Sequence, residues 1–255
     1  MMKLISRLTV VTILASLSAS ALLAQGGGGG AECRDLPTHA QLQAALKAAR
    51  AQANGGFNLD MWATVVNRDG VVCAVAFTGA DRGDQWPGSR VISAQKAYTA
   101  NAFSLPGLAL STANLFSAVQ PGGSLYGLQH SNPINTVAAY KEPAMRFGQN
   151  NDPMVGERVG GVNVFGGGLG LYNAQGRLVG GIGVSGDSSC ADHNIAWRTR
   201  NTLMLDFVPA GVSGDADRPD NIVYDIFGGV SAGGWGHPQC SAAATAIAGG
   251  LSATR

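Results

Sequence analysis

Residues 161–192, GVNVFGGGLGLYNAQGRLVGGIGVSGDSSCAD, constrain the fold more than any other part of the chain. Two β-rich runs, 169–172 and 178–184, flank Asn173-Ala174-Gln175-Gly176, a composition that reverses a chain sharply. The second run ends in Gly-Val-Ser-Gly-Asp and leads into a helix expected over residues 191–205. An earlier segment repeats this order. Runs 62–66 and 71–77 flank Asn67-Arg68-Asp69-Gly70, and residues 89–103 place Val91, Ala94, Tyr98 and Ala102 on one helical face. A leading helix over residues 38–53 opens with a Thr38-x-x-Gln41 capping box and ends at Asn54-Gly55-Gly56. Two hairpin-then-helix units behind a leading helix predict an α+β fold, one antiparallel sheet with helices packed on it.

The N-terminus fixes the expected compartment. Lys3 and Arg7 precede an apolar run over residues 8–17 and the small-residue pattern Ala19-Ser20-Ala21, the form of a signal peptide over residues 1–21. That run is shorter than the roughly 20 residues a bilayer span needs. A periplasmic or secreted protein with no stable membrane span after cleavage is expected. Removing Lys3 and Arg7 takes the formal charge from +1 to −1, charged residues make up only 13%, and no basic cluster interleaved with aromatics occurs. Nucleic acid is therefore excluded as a partner.

Residues 22–37 read as a flexible linker, and 38–205 as the main domain. Within it, residues 105–159, rich in Gly, Pro and Asn, are too long for a plain connection and read as an extended connector of functional importance. Residues 206–255 form a C-terminal extension with a short strand expected over 221–227 and a small-residue tail expected to be poorly ordered.

Several segments then converge: Lys96-Ala97-Tyr98-Thr99-Ala100, Gln120-Pro121-Gly122-Gly123, Leu125-Tyr126-Gly127-Leu128, Gly166-Gly167-Gly168, and the run 180–186 (GGIGVSG) with Asp192. Together they resemble the GlcG/HbpS-like haem-binding family, which is shared with the C-terminal domain of PduO-type proteins. The resemblance implies a profilin- or PAS-like domain, homo-oligomers, and non-covalent haem or another tetrapyrrole as cofactor. The chain departs from the pattern in its expanded connector and its extension. Its only glutamates are Glu32, Glu142 and Glu157, so the E-x-x-E iron motif of some secreted relatives is absent.

Haem needs an apolar slot, an axial ligand and cations for its propionates. No C-x-x-C-H occurs, so covalent attachment is excluded. Tyr126 and His130 lead as axial ligands, with Tyr98 and Thr99 behind them; the plain alternatives are a loop histidine bonded to backbone and a core tyrosine. Lys96 and Arg90 are candidates for the propionates, or else lie on a solvated helix face. Gly167 and Gly168 either admit a flat ligand or allow close strand packing. Asp187 with Ser188 and Ser189 precedes a helix start suited to an anion, the alternative being that Asp192 or Ser189 simply caps that helix.

The four cysteines favour disulfides in an exported chain, Cys190–Cys240 and Cys33–Cys73 being the preferred pairing of the three possible. The mirrored C-x-x-H and H-x-x-C of Cys190, His193, His237 and Cys240 leave zinc as an alternative. The leading functional reading is a non-enzymatic haem-binding protein whose pocket is formed by the sheet face, the second helix and the connector. One competitor is an enzyme acting on a small organic acid or aromatic metabolite with Lys96, Tyr126, His130 or Asp187 as acid/base groups; another is a structural PAS-like module with a filled core and no pocket.

Overall fold

A computed structural model describes residues 31–255. The signal segment and most of the expected linker lie outside the described residues. Strands β1 (Trp62–Asn67), β2 (Val72–Phe77), β3 (Gly168–Tyr172) and β4 (Leu178–Ser185) form one antiparallel sheet in the order β2-β1-β4-β3. Helices α1 (His39–Arg50) and α5 (Ser189–Thr202) pack on one face, and α2 (Ser89–Phe103) on the other. Every strand residue is consequently buried.

Alternation along the strands sorts the side chains between the two layers. Met61, Ala63, Val65, Ile182 and Val184 join Leu42 and Leu46 of α1 and Ile195 and Trp197 of α5 in one core. Trp62, Val66, Val75 and Phe77 point the other way, toward Val91, Ala94 and Ala97 of α2. On the α2 side, β3 and β4 carry glycine. Gly168 faces Gly183 and Gly170 faces Gly181 across the ladder. A Cβ at Gly168 would come within 2.6 Å of the Lys96 carbonyl, and one at Gly181 within 3.0 Å of Asn101 Cβ. The bare strands let the helix backbone settle onto the sheet.

Local chemistry fixes the helix ends. Thr38 accepts from Gln41 N–H while Gln41 accepts from Thr38 N–H, completing the expected capping box of α1. Helix α5 is capped by Ser188, which accepts from Ala191 N–H, and not by Asp192 or Ser189. It ends at Thr202, earlier than expected, because Met204 turns left-handed (φ 56°) and Leu205 N–H returns to the Arg200 carbonyl.

The connector is built from short pieces, among them α3 (Leu128–Ser131) and α4 (Thr136–Ala139), and wraps the α2 face with Ala138, Ala139, Met154 and Val159. The extension departs from expectation. Its strand is only β5 (Ile226–Phe227), paired with β6 (Val230–Ser231), and the tail is ordered: α6 (Ala242–Gly249) is capped by Ser241 and buries Ala244 and Ala248 in a cluster with Cys190. Small residues are what a helix needs to lie this close to α5. Disulfides Cys33–Cys73 and Cys190–Cys240 are both present.

Candidate functional site

The structure scatters the residues singled out in the sequence. Tyr126 and His130 lie on the outer surface of the connector, Tyr126 being 63% exposed. Lys96 is 2% exposed, neither solvated nor open to a propionate; its Nζ donates to Asp192 Oδ2 at 2.7 Å and to the Val184 carbonyl at 3.1 Å. Thr99 donates to the Gln95 carbonyl and accepts from Asn163 N–H, while Tyr98 is half-buried over Gly70.

Gly167 and Gly168 do meet Lys96, but as packing: the space beside Gly167 is taken by Asp192 Cβ and Lys96 Nζ, and that beside Gly168 by Thr112 and the α2 backbone. A flat ligand has no room at that face. Asp187 is spent on backbone, accepting from Phe57 and Leu59 N–H groups of the loop after α1 at 2.9 and 3.1 Å and from Ser188 N–H at 2.6 Å.

The zinc alternative fails in this form of the chain because the sulfurs of Cys190 and Cys240 are bonded to each other and offer no thiolate. Among the described residues no group of three His, Cys, Asp or Glu side chains is placed to hold a metal. His193 of α5 and His237 of the extension are nonetheless both buried, close to one another. His193 Nε2 sits 3.0 Å from Asn221 Oδ1, and His237 Nδ1 donates to the Pro238 carbonyl at 2.7 Å, leaving His193 Nδ1 and His237 Nε2 without partners among the described residues. Burial pushes both imidazoles down to about 4, so both are neutral at pH 7. Burial also pushes the Asp192 carboxyl up to about 6, against the pull of Lys96.

An open site exists elsewhere, between the three elements expected to build it. A cleft of about 400 Å³ has Trp62 of β1 as its floor, Pro87, Gly88 and Val91 at the start of α2 as one wall, and Tyr140, Ala144 and Phe147 of the connector as the other. Asp81, Arg82 and Gly83 stand at its mouth.

Arg90 assembles this cleft. Its Nε donates to Asp152 Oδ2 at 2.9 Å, Nη2 to Asp152 Oδ1, and Nη1 to the Ala139 carbonyl at 2.8 Å, while its guanidinium lies 3.6 Å over the Phe147 ring. Asp152 in turn accepts from Gly148 and Met154 N–H groups. One planar fork therefore joins α2, the end of α4 and the Phe147 wall, a task a lysine's single point charge cannot perform.

Among the described residues, neither the Arg82 guanidinium nor the Tyr140 hydroxyl has a hydrogen-bond or ion-pair partner, and Tyr140 is 59% exposed. The Trp62 indole N–H is buried and unpartnered. Sequence reasoning missed Trp62, Arg82, Tyr140 and Phe147. The signal available was a run of aromatics and arginines on either side of the second helix.

No curated protein matches the chain. Among solved structures, the PduOC:haem complex is 24% identical, covering 68% of this chain and 98% of that one, with a TM-score of 0.47. Klebsiella pneumoniae protein ORFY is 25% identical over 66% of this chain and 90% of that one (TM-score 0.44), and HbpS is 17% identical over 65% and 86% (TM-score 0.39). The family described as haem-degrading protein HbpS-like matches residues 38–200. That span holds the whole four-stranded sheet, α1, α2 and nearly all of α5, and the chain belongs to the HbpS-like family.

Proposed function

We propose that this protein binds haem non-covalently in the cleft between β1, the start of α2 and the connector. The observation that carries the reading is the cleft itself, with aromatic and aliphatic walls, an unpaired cation at the mouth and an unpaired oxygen ligand in one wall, in a member of a family named for haem. Haem, when bound, supplies an iron and a broad apolar face. Trp62, Val91 and Phe147 suit that face, and Arg82 suits a propionate at the solvent edge. The cleft volume is toward the lower end of the roughly 300–1,000 Å³ of ligand sites, which fits a macrocycle held by one edge. Arg90, whose charge is matched by Asp152, lines the cleft and holds its walls.

Export belongs to the same proposal. It is supported by the signal-like segment and by two disulfides suited to an oxidising compartment. Assembly into homo-oligomers is proposed from the family resemblance alone, and light scattering on the purified protein checks it.

The test is a haemin titration followed in the Soret region. Ala144→Trp fills the cleft and is expected to weaken a saturable wild-type signal at least tenfold, whereas Tyr126→Phe and His130→Ala, outside the cleft, leave it unchanged. No saturable signal in the wild type overturns haem binding. Weakening in the Tyr126 or His130 variants with Ala144→Trp unaffected overturns this location.

A further inference from the structure

Resting on the haem reading, we propose that Tyr140 is the axial iron ligand and that the site thereby selects ferric over ferrous haem. Of the side chains lining the cleft, none is histidine, cysteine or methionine, so the usual nitrogen and sulfur ligands are missing from its walls. Two oxygen ligands remain, Asp81 and Tyr140. Asp81 is engaged in its own turn, its Oδ1 accepting from Gly83 N–H at 2.9 Å and its carbonyl from Gln85 Nε2 at 2.7 Å. Tyr140 is free.

Its position is also well fixed, which a ligand requires. Asn135 caps α4 by accepting from Val137 and Ala138 N–H groups, Tyr140 N–H closes the helix onto the Thr136 carbonyl, and Arg90 holds the adjoining Ala139 carbonyl at 2.8 Å. The backbone that carries the phenol is tied both to its own helix and to α2.

A phenolate is a hard anionic oxygen donor, which favours the higher charge of Fe(III) over Fe(II). On binding, the Tyr140 O–H gives its proton to water and the oxygen takes the iron position vacated by the chloride or water of haemin. One electron delivered to the iron by an external low-potential donor lowers its charge from 3+ to 2+ and weakens its bond to this oxygen, so affinity drops. The oxidation state of the iron then sets whether the cargo is held or released.

Four titrations test this: wild type and Tyr140→Phe, each with haemin and with metal-free protoporphyrin IX. The wild-type haemin complex is expected to show the visible charge-transfer bands of a ferric phenolate. Tyr140→Phe loses those bands and binds haemin at least tenfold more weakly, while protoporphyrin IX binds both proteins equally, since it has no iron to ligate. Dithionite added to the wild-type complex is expected to release haem to apomyoglobin at least tenfold faster. Haemin binding with the same spectrum and affinity in both proteins overturns Tyr140 as ligand and leaves the haem reading standing. Equal loss of haemin and protoporphyrin IX in Tyr140→Phe also overturns it, assigning Tyr140 to packing. Failure of both compounds to bind the wild type overturns the haem reading itself.

Discussion

At the scale of single residues, the lesson is in the cations on α2. Arg90 and Lys96 read as surface groups suited to a ligand's carboxylates, yet each is sealed against one aspartate. A buried pair is weak evidence of net stabilisation, because desolvation offsets most of the attraction, but removing one member strands the other charge. Arg90→Leu is therefore expected to lose about 3–5 kcal/mol in urea unfolding. Arg90→Lys is expected to recover little of it, because the lysine cannot hold Asp152 and the Ala139 carbonyl together. Recovery to within 1 kcal/mol of wild type, a gap expected only where geometry is unimportant, would show that the fork geometry does not matter. Burial of these residues was not visible in the helix pattern, since α2 has apolar residues on one stripe only. For Arg90 it arises because the connector brings Asp152 and the Ala139 carbonyl over it, and for Lys96 because its ammonium lies against Gly167, Val184 and Asp192.

At the scale of elements, both hairpins, the three long helices and the sheet were legible in the sequence. The turn compositions and the capping box are local signals, and local signals survive in the fold. What the local pattern left open was the job of the glycines. In GLGLY and GGIGV, glycine alternates with a larger apolar residue at the strand period. One face is thus made bare while Leu169, Leu171, Ile182 and Val184 fill the other. That alternation announces a helix pressed against the sheet, not a ligand, and it reads as such once the period of two is applied to glycine as well as to leucine. Gly183→Val tests the point: its Cβ would fall on the Ser93 carbonyl and 2.9 Å from Lys96 Cβ. Overpacking of this kind costs typically 1–3 kcal/mol, and because backbone must move here the upper part of that range is expected, read as a lower thermal midpoint. The cleft was half legible: its three contributing elements follow from the sequence, its residues do not, because Tyr140 and Phe147 reach it through a connector with no period to read.

At the scale of the whole molecule, the extension is part of the core. Asn194 Nδ2 donates to both the Asn54 and Ala244 carbonyls, Trp197 Nε1 donates to the Ser252 carbonyl, and Ser241 Oγ donates to the Gly55 carbonyl, so residues 241–252 stitch α5 to the end of α1. Under this layer lie His193 and His237, neutral in the fold with values near 4, while unfolded histidine titrates near 6.5. The unfolded chain then takes up more protons between those values. The stabilisation from the two imidazoles is complete above pH 6.5 and is lost as the pH falls through 4, at about 3 kcal/mol each. Asp192 acts oppositely: with its carboxyl up at about 6, its contribution is complete below the ordinary value of 3.8 and is lost as the pH rises through 6. Two groups against one give a net loss of about 3 kcal/mol on acidification from pH 7 to 4. Urea midpoints across that range are expected to fall, and His237→Gln to flatten the fall; a flat wild-type profile would refute the buried neutral imidazoles. The stitching has a consequence for how the chain comes to be folded. Residues 38–200 hold every strand of the sheet, yet the outer side of α5 stays bare until a segment made later arrives and Cys240 finds Cys190. A chain emerging N-terminus first must therefore wait, with its first helix and its sheet already available, for the layer that closes them, and throughout that interval the outer side of α5 stands open to proteases.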